Sequence, residues 1–119
     1  MPTNFYASFT IRKTSTSNAL SWLNVGADTN NCLFFGQAGQ SALGMFKRQS
    51  GSNTVISSDN VLTAWNTDYL IEFSYVDGAL TLKGGNKTLT GSWTYTTRSH
   101  VSTNIQSNNS MTGLKIKPL

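Results

Sequence analysis

The chain has a single cysteine, Cys32, in 119 residues. No disulfide can form within it. Cys32 lies in the apolar run Cys32-Leu33-Phe34-Phe35, which marks a small buried side chain rather than a reactive thiol. Histidine is equally scarce, with His100 alone, and there are only five acidic residues. One His and one Cys, with no acid at ligand spacing, give no support to a zinc site. The nine Lys and Arg are scattered and the net charge is +4. Without a dense basic run, no nucleic-acid partner is expected. No hydrophobic run approaches a membrane-spanning length, so no membrane insertion is expected. The opening "MPTNFYASFTIRK" holds no apolar segment of signal-peptide length. The expected setting is a virion component made in the cytoplasm, or a piece cut from a longer chain, extracellular included.

What fills the sequence instead is Ser, Thr and Asn, roughly a third of the residues. Such a polar but weakly charged surface is common in extracellular and viral β-proteins. The length fits a single domain over residues 1–119, large enough to bury about two-thirds of its unfolded surface without a metal or a disulfide.

Strand signals dominate. "NFYASFTIRK" alternates, with Phe5, Ala7, Phe9 and Ile11 on one face and Tyr6, Ser8, Thr10 and Arg12 on the other. "ALSWLNVGA" and "NCLFFGQ" are separated by the turn-forming "DTNN". "ALGMFKRQS", a short "TVISS", "DYLIEFSYV", "ALTLK", "KTLTG", a weaker "SWTYTT" and the closing "MTGLKIKPL" complete the set. In the last of these Leu114 and Ile116 point one way and Lys115 and Lys117 the other. Asp77-Gly78 suits a two-residue hairpin, because both residues tolerate positive φ, and Gly84-Gly85-Asn86 offers the same at the next turn. Residues 102–110 read as a surface loop or a poorly ordered edge. No segment shows sustained helical periodicity. The expected fold class is all-β, an antiparallel two-sheet β-sandwich. Its expected core contains Phe5, Phe9, Ile11, Phe34, Ile71, Phe73, Leu80, Leu82, Leu114 and Ile116, with Trp65 as a buried plug.

The order of the pieces carries a resemblance. "NFYASFTIR", then "WLNVGADTNNCLFFG", "GMFKRQSG", "AWNTDYLIEFSYVDGALTLKGGNKTLTG" and "GLKIKPL" together resemble the concanavalin A-like, laminin G-like jelly-roll superfamily. The most specific part is residues 65–91, and the likeness covers nearly the whole chain. It implies a jelly roll whose first and last strands are neighbours. Many members bind glycans, some are glycosidases, some are interaction modules, and plain domains of this kind are found in phage tails.

The glycosidases of this superfamily carry acids clustered on one strand, and no such cluster is present. Asp68 and Glu72 share a strand face, but four residues at about 3.4 Å put them roughly 13 Å apart. Glycoside hydrolysis needs about 5–9.5 Å. No enzyme is expected. Calcium is a separate question, since laminin G-like domains often bind it at a loop rim. Asp28 with Asn30 or Asn31 could supply hard oxygen ligands for Ca²⁺, or could form a turn in which these side chains bond their own backbone. No other cofactor is expected.

Glycan sites place aromatic faces against sugar rings, with a few polar groups to hold hydroxyls. Of the thirteen Trp, Tyr and Phe, those left over by the strand pattern are Tyr6, Trp22, Trp93 and Tyr95, with Arg48 and His100 as polar candidates. Trp93 and Tyr95 follow a Gly-Ser break and are the first choice of stacking platform, with Arg48 as donor. The expected function is a non-enzymatic carbohydrate-binding or host-surface adhesion domain, of a phage tail or receptor-binding protein, whose partner is a cell-surface glycan. The alternative is a structural, protein–protein module of a viral or extracellular assembly, as a homo-oligomer or within a virion. It would use the same sandwich without sugar.

Overall fold

The computed structural model describes residues 4–13, 20–37, 41–64, 66–94, 100–106 and 109–119, and among these residues ten strands follow one another without a helix. They are β1 (Phe5–Arg12), β2 (Ser21–Asp28), β3 (Asn31–Gln37), β4 (Ala42–Gln49), β5 (Ser52–Asn60), β6 (Asp68–Val76), β7 (Ala79–Gly84), β8 (Lys87–Ser92), β9 (His100–Ile105) and β10 (Ser110–Pro118). A first five-stranded sheet has the order β10-β1-β6-β7-β8, and a second has the order β5-β4-β3-β2-β9. Every pairing is antiparallel. The first and last strands are neighbours, as the resemblance implies.

Strict alternation buries every second residue of β1, and its register carries that parity into β6, where Phe5 faces Tyr75, Ala7 faces Phe73 and Phe9 faces Ile71. Leu23, Val25, Leu33, Phe35, Leu43 and Met45 close the core from the second sheet. Phe35 and Phe73 stack across the interior with centroids 3.9 Å apart. Of the expected core, Phe5, Phe9, Ile11, Ile71, Phe73, Leu80 and Leu82 are buried between the sheets, and Ile116 is partly buried against them. Trp65 lies outside the described residues.

Three expectations need correction. Leu114 is 41% exposed. The β1–β10 register shifts between Ser8 and Thr10, where Gly113 takes φ 67°, and this bulge reverses the parity of β10. Ile116 opposite Ala7 and Met111 opposite Ile11 both face inward as a result, and Leu114 turns out. Phe34 is buried, but in a separate cluster with Trp22 and Cys32 on the outer side of the second sheet. Of the stretch 102–110, expected as a surface loop or a poorly ordered edge, residues 102–105 are not loop but belong to β9, the edge strand paired with β2. "TVISS" is part of a longer β5, and of "SWTYTT" Ser92 ends β8, Trp93 and Thr94 lie beyond it, and residues 95–97 fall outside the described residues.

Both hairpins at β6-β7-β8 form, but only the first has the turn expected of it. Asp77 and Gly78 take φ 49° and 87°, the two positive values that a type I′ turn requires. In the next turn positive φ falls on Gly85 alone.

Candidate functional site

The second sheet sends Leu33 and Phe35 inward, so the side chains between them must point out. The same parity places Trp22 and Asn24 of β2, Phe46 and Arg48 of β4, and His100 and Ser102 of β9 on that outer face. Strand pairing sets them in rows. One row runs Ser102, Asn24, Phe34, Phe46, Val55, and the next runs His100, Gly26, Cys32, Arg48, Asn53.

The rings pack on one another. Phe34 and Phe46 are stacked at 4.9 Å with planes 7° apart, and Trp22 is tilted against Phe34 at 5.2 Å. The Arg48 guanidinium lies over the Phe34 ring, 4.8 Å from its centroid. Arg48 Nε donates to Asn53 Oδ1 at 2.7 Å and Nη1 donates to the Thr29 carbonyl at 2.9 Å. Two bonds and a ring face hold this side chain, while three of its five N–H groups have no bond among the described residues. On the same face a polar chain joins β2 to the edge strand β9. Trp22 Nε1–H donates to Asn24 Oδ1 at 3.0 Å, Asn24 Nδ2–H donates to Ser102 Oγ at 3.2 Å, and Ser102 Oγ lies 2.9 Å from His100 Nε2. Burial pushes the Cys32 thiol above its usual range, against the opposing charge of Arg48, so it packs rather than reacts.

The loop after β2 leans on this face. The Asp28 carboxylate accepts the Asn30 backbone N–H at 2.8 Å and the Asn31 side-chain N–H at 3.1 Å, and these bonds hold its pKa below the ordinary value. This is the Asx turn that was one of the two readings of the loop. Asn30 O and Asn31 Oδ1 in turn accept the backbone N–H groups of Gly51 and Ser50. Among the described residues no three His, Cys, Asp or Glu side chains gather as a metal site.

The six residues singled out in the sequence do not assemble. Trp22, Arg48 and His100 share the outer face of the second sheet. Tyr6 lies on the outer face of the first sheet, where its hydroxyl donates to Glu72 at 2.6 Å. Trp93 is half-buried against the core, with its backbone N–H on the Gly78 carbonyl. Tyr95 lies outside the described residues. Phe34, Phe46, Asn24, Ser102 and Asn53 belong to the face and were missed. Phe46 and Asn24 carry the right parity for it, but the run Cys32–Phe35 is apolar on both faces, so alternation there has no sign.

Each of the five carboxylates has its own partner. Asp28 caps its loop, Asp59 pairs with Lys87 at 3.5 Å, Asp68 with Arg12 at 2.8 Å, Glu72 takes the Tyr6 hydroxyl, and Asp77 is clamped by Asn4. No two of them face one another in these interactions.

The sequence matches no protein-family model and no curated protein. Solved structures do match. The carbohydrate-binding module CBM66 from Bacillus subtilis superposes with a TM-score of 0.81 at 10% identity, over 97% of this chain and 75% of that one. Sheep galectin-11, solved in complex with glycerol, gives 0.73 at 10% identity over 98% and 92%. Chicken galectin 2 gives 0.69 at 11% identity over 95% and 89%. At such identities the likeness is one of fold alone: a jelly-roll sandwich of two antiparallel β-sheets.

Proposed function

We propose that this domain binds a saccharide, without catalysis, on the outer face of the second sheet. The observation that carries the reading is the fixed Arg48 guanidinium over Phe34, with Phe46 alongside and the chain from Asn24 through Ser102 to His100 within the same two rows. Apolar ring edges beside preorganised donors and acceptors are what a sugar needs, since each ring presents both C–H faces and hydroxyls. Donors held in place before binding cost little entropy when they bind. The carbohydrate-binding fold neighbours support the same class of ligand. The engagement of each carboxylate with its own partner, rather than with another acid, supports a site that holds sugar without cleaving it.

One shallow face of this kind binds weakly, so function follows from several copies acting together. A setting that supplies copies is a virion or an extracellular assembly that adheres to a host surface through a cell-surface glycan. A glycan array read together with light scattering tests the reading. Arg48→Ala is expected to weaken binding about tenfold, as expected for a charge-assisted contact, with a cooperative melt retained. Binding unchanged in Arg48→Ala would move the site off this face. No glycan bound by the wild type, together with a stable oligomer, would favour the assembly module instead.

A further inference from the structure

The outer face of the first sheet carries groups that this reading does not use. Strand register sets them in two rows across β10, β1, β6, β7 and β8. One row is Lys117, Tyr6, Ser74, Thr81, Thr90, and the next is Lys115, Ser8, Glu72, Lys83, Thr88. Over β1, β6 and β7 the surface dips into a shallow depression of about 380 Å³, lined by Tyr6, Glu72, Phe73, Ser74, Thr81 and Lys83. Within its lining the Tyr6 hydroxyl donates to Glu72, and Lys117, on β10 outside the lining, has its Nζ 5.0 Å from the Tyr6 ring centroid.

The charges here are unequally matched. Lys83 stands directly across from Glu72, yet that carboxylate is bonded to Tyr6. The ion pairs among the described residues are Arg12–Asp68 and Lys87–Asp59, so Lys83, Lys115 and Lys117 are in none of them. Lys83 on β7 and the lysines on β10 are three strand spacings apart, about 14 Å. Hydroxyls and one carboxylate occupy the space between.

We propose that this depression is a second site, for an acidic saccharide whose acid groups, carboxylate or sulfate, are spaced along a short oligosaccharide. Lys83 takes one acid and Lys117 with Lys115 takes the other. Ammonium groups act as point charges and suit either acid. Ser74, Thr81 and Glu72 exchange hydrogen bonds with sugar hydroxyls in between. Glu72 also repels an acid at the centre, which selects spaced acids over a continuous row of them. The proposal does not rest on the other face, because the two lie on opposite sides of the sandwich.

The test is calorimetry at low ionic strength with a hyaluronan hexasaccharide, a κ-carrageenan hexasaccharide and, as the neutral control, fully N-acetylated chitohexaose. Either acidic hexamer binding about tenfold more tightly than chitohexaose supports the site, and the one that binds names the acid. Lys83→Ala and Lys117→Ala are each expected to weaken that binding about tenfold, while Lys47→Ala leaves it intact. Thermal melts confirm that the variants fold. The proposal is overturned by no preference over chitohexaose, or by Lys47→Ala losing as much as Lys83→Ala. It is also overturned if a single-stranded oligonucleotide binds as tightly, which would mean charge alone. If Arg48→Ala removes the binding and Lys83→Ala does not, the acidic sugar lies on the second sheet and this site falls while the other stands.

Discussion

Phe34 and Phe35 are adjacent and do opposite work. Phe35 is fully buried and stacks on Phe73 across the interior. Phe34 faces out beneath Arg48 and between Trp22 and Phe46. Phe73→Ala removes the far half of the inner stack and is expected to cost about 3–5 kcal/mol, read from urea denaturation. Trp93→Ala should lower the melting temperature too, because the indole packs on the core rather than standing free as a platform. Asp28 makes a pH-dependent contribution. Its carboxylate is held below its ordinary value of 3.8 by the bonds from Asn30 and Asn31. A depressed acid stabilises the fold fully above the unfolded value and ceases to do so as pH falls through the folded value. The wild type should therefore lose stability relative to Asp28→Asn as pH falls below 3.8, measured as urea midpoints at acid pH.

At the scale of elements, turns and bulges decide which side chains are presented. The Asp77-Gly78 turn is clamped from a distance. Asp77 N–H donates to Asn4 Oδ1 at 2.9 Å, and Asn4 Nδ2–H donates to Asp77 Oδ1 at 3.1 Å. Gly78→Ala would put a Cβ 2.6 Å from Thr94 Oγ1 at φ 87°. The backbone strain alone is worth about 1–2 kcal/mol, and the clash adds to it. Gly113→Ala isolates the strain, because nothing lies within 4 Å of a Cβ there. It is expected to cost about 1–2 kcal/mol in a thermal melt and to leave the rest of β10 in place. The first of these elements was legible, since Asp-Gly between two alternating runs names its own turn. The second was not. A Gly in "MTGLKIKPL" reads as a weak strand residue until β1 is laid beside it, and only then does the extra residue show.

Across the whole molecule the first and last strands meet. β1 lies inside the first sheet, paired with β6 on one side and β10 on the other. Residues more than a hundred positions apart must find one another before that sheet is complete. Sandwiches held by such non-local pairs fold in milliseconds to seconds, and stopped-flow refolding should fall in that range. A chain truncated after Asn109 loses β10 and leaves the β1 edge bare. It is expected to aggregate or to lose its cooperative melt, which size exclusion and circular dichroism would show.

Sequence alone determined what repeats locally. Period-two alternation in "NFYASFTIRK" and "DYLIEFSYV" set strands, their buried faces and an all-β sandwich, because adjacent side chains on an extended chain must point to opposite sides. It also isolated Trp22, Arg48 and His100 as residues the core did not require. Tertiary structure decided which of them meet. Trp22, Arg48 and His100 come from β2, β4 and β9, and they share a face only because β2 pairs with β3 on one side and β9 on the other. Tyr6 had the same standing in the sequence and went to the opposite sheet. Alternation says that neighbours face apart, but register and strand order are set by pairing between distant segments, and that pairing put Phe34 outside, Leu114 in solvent and the lysines of β10 beside Tyr6.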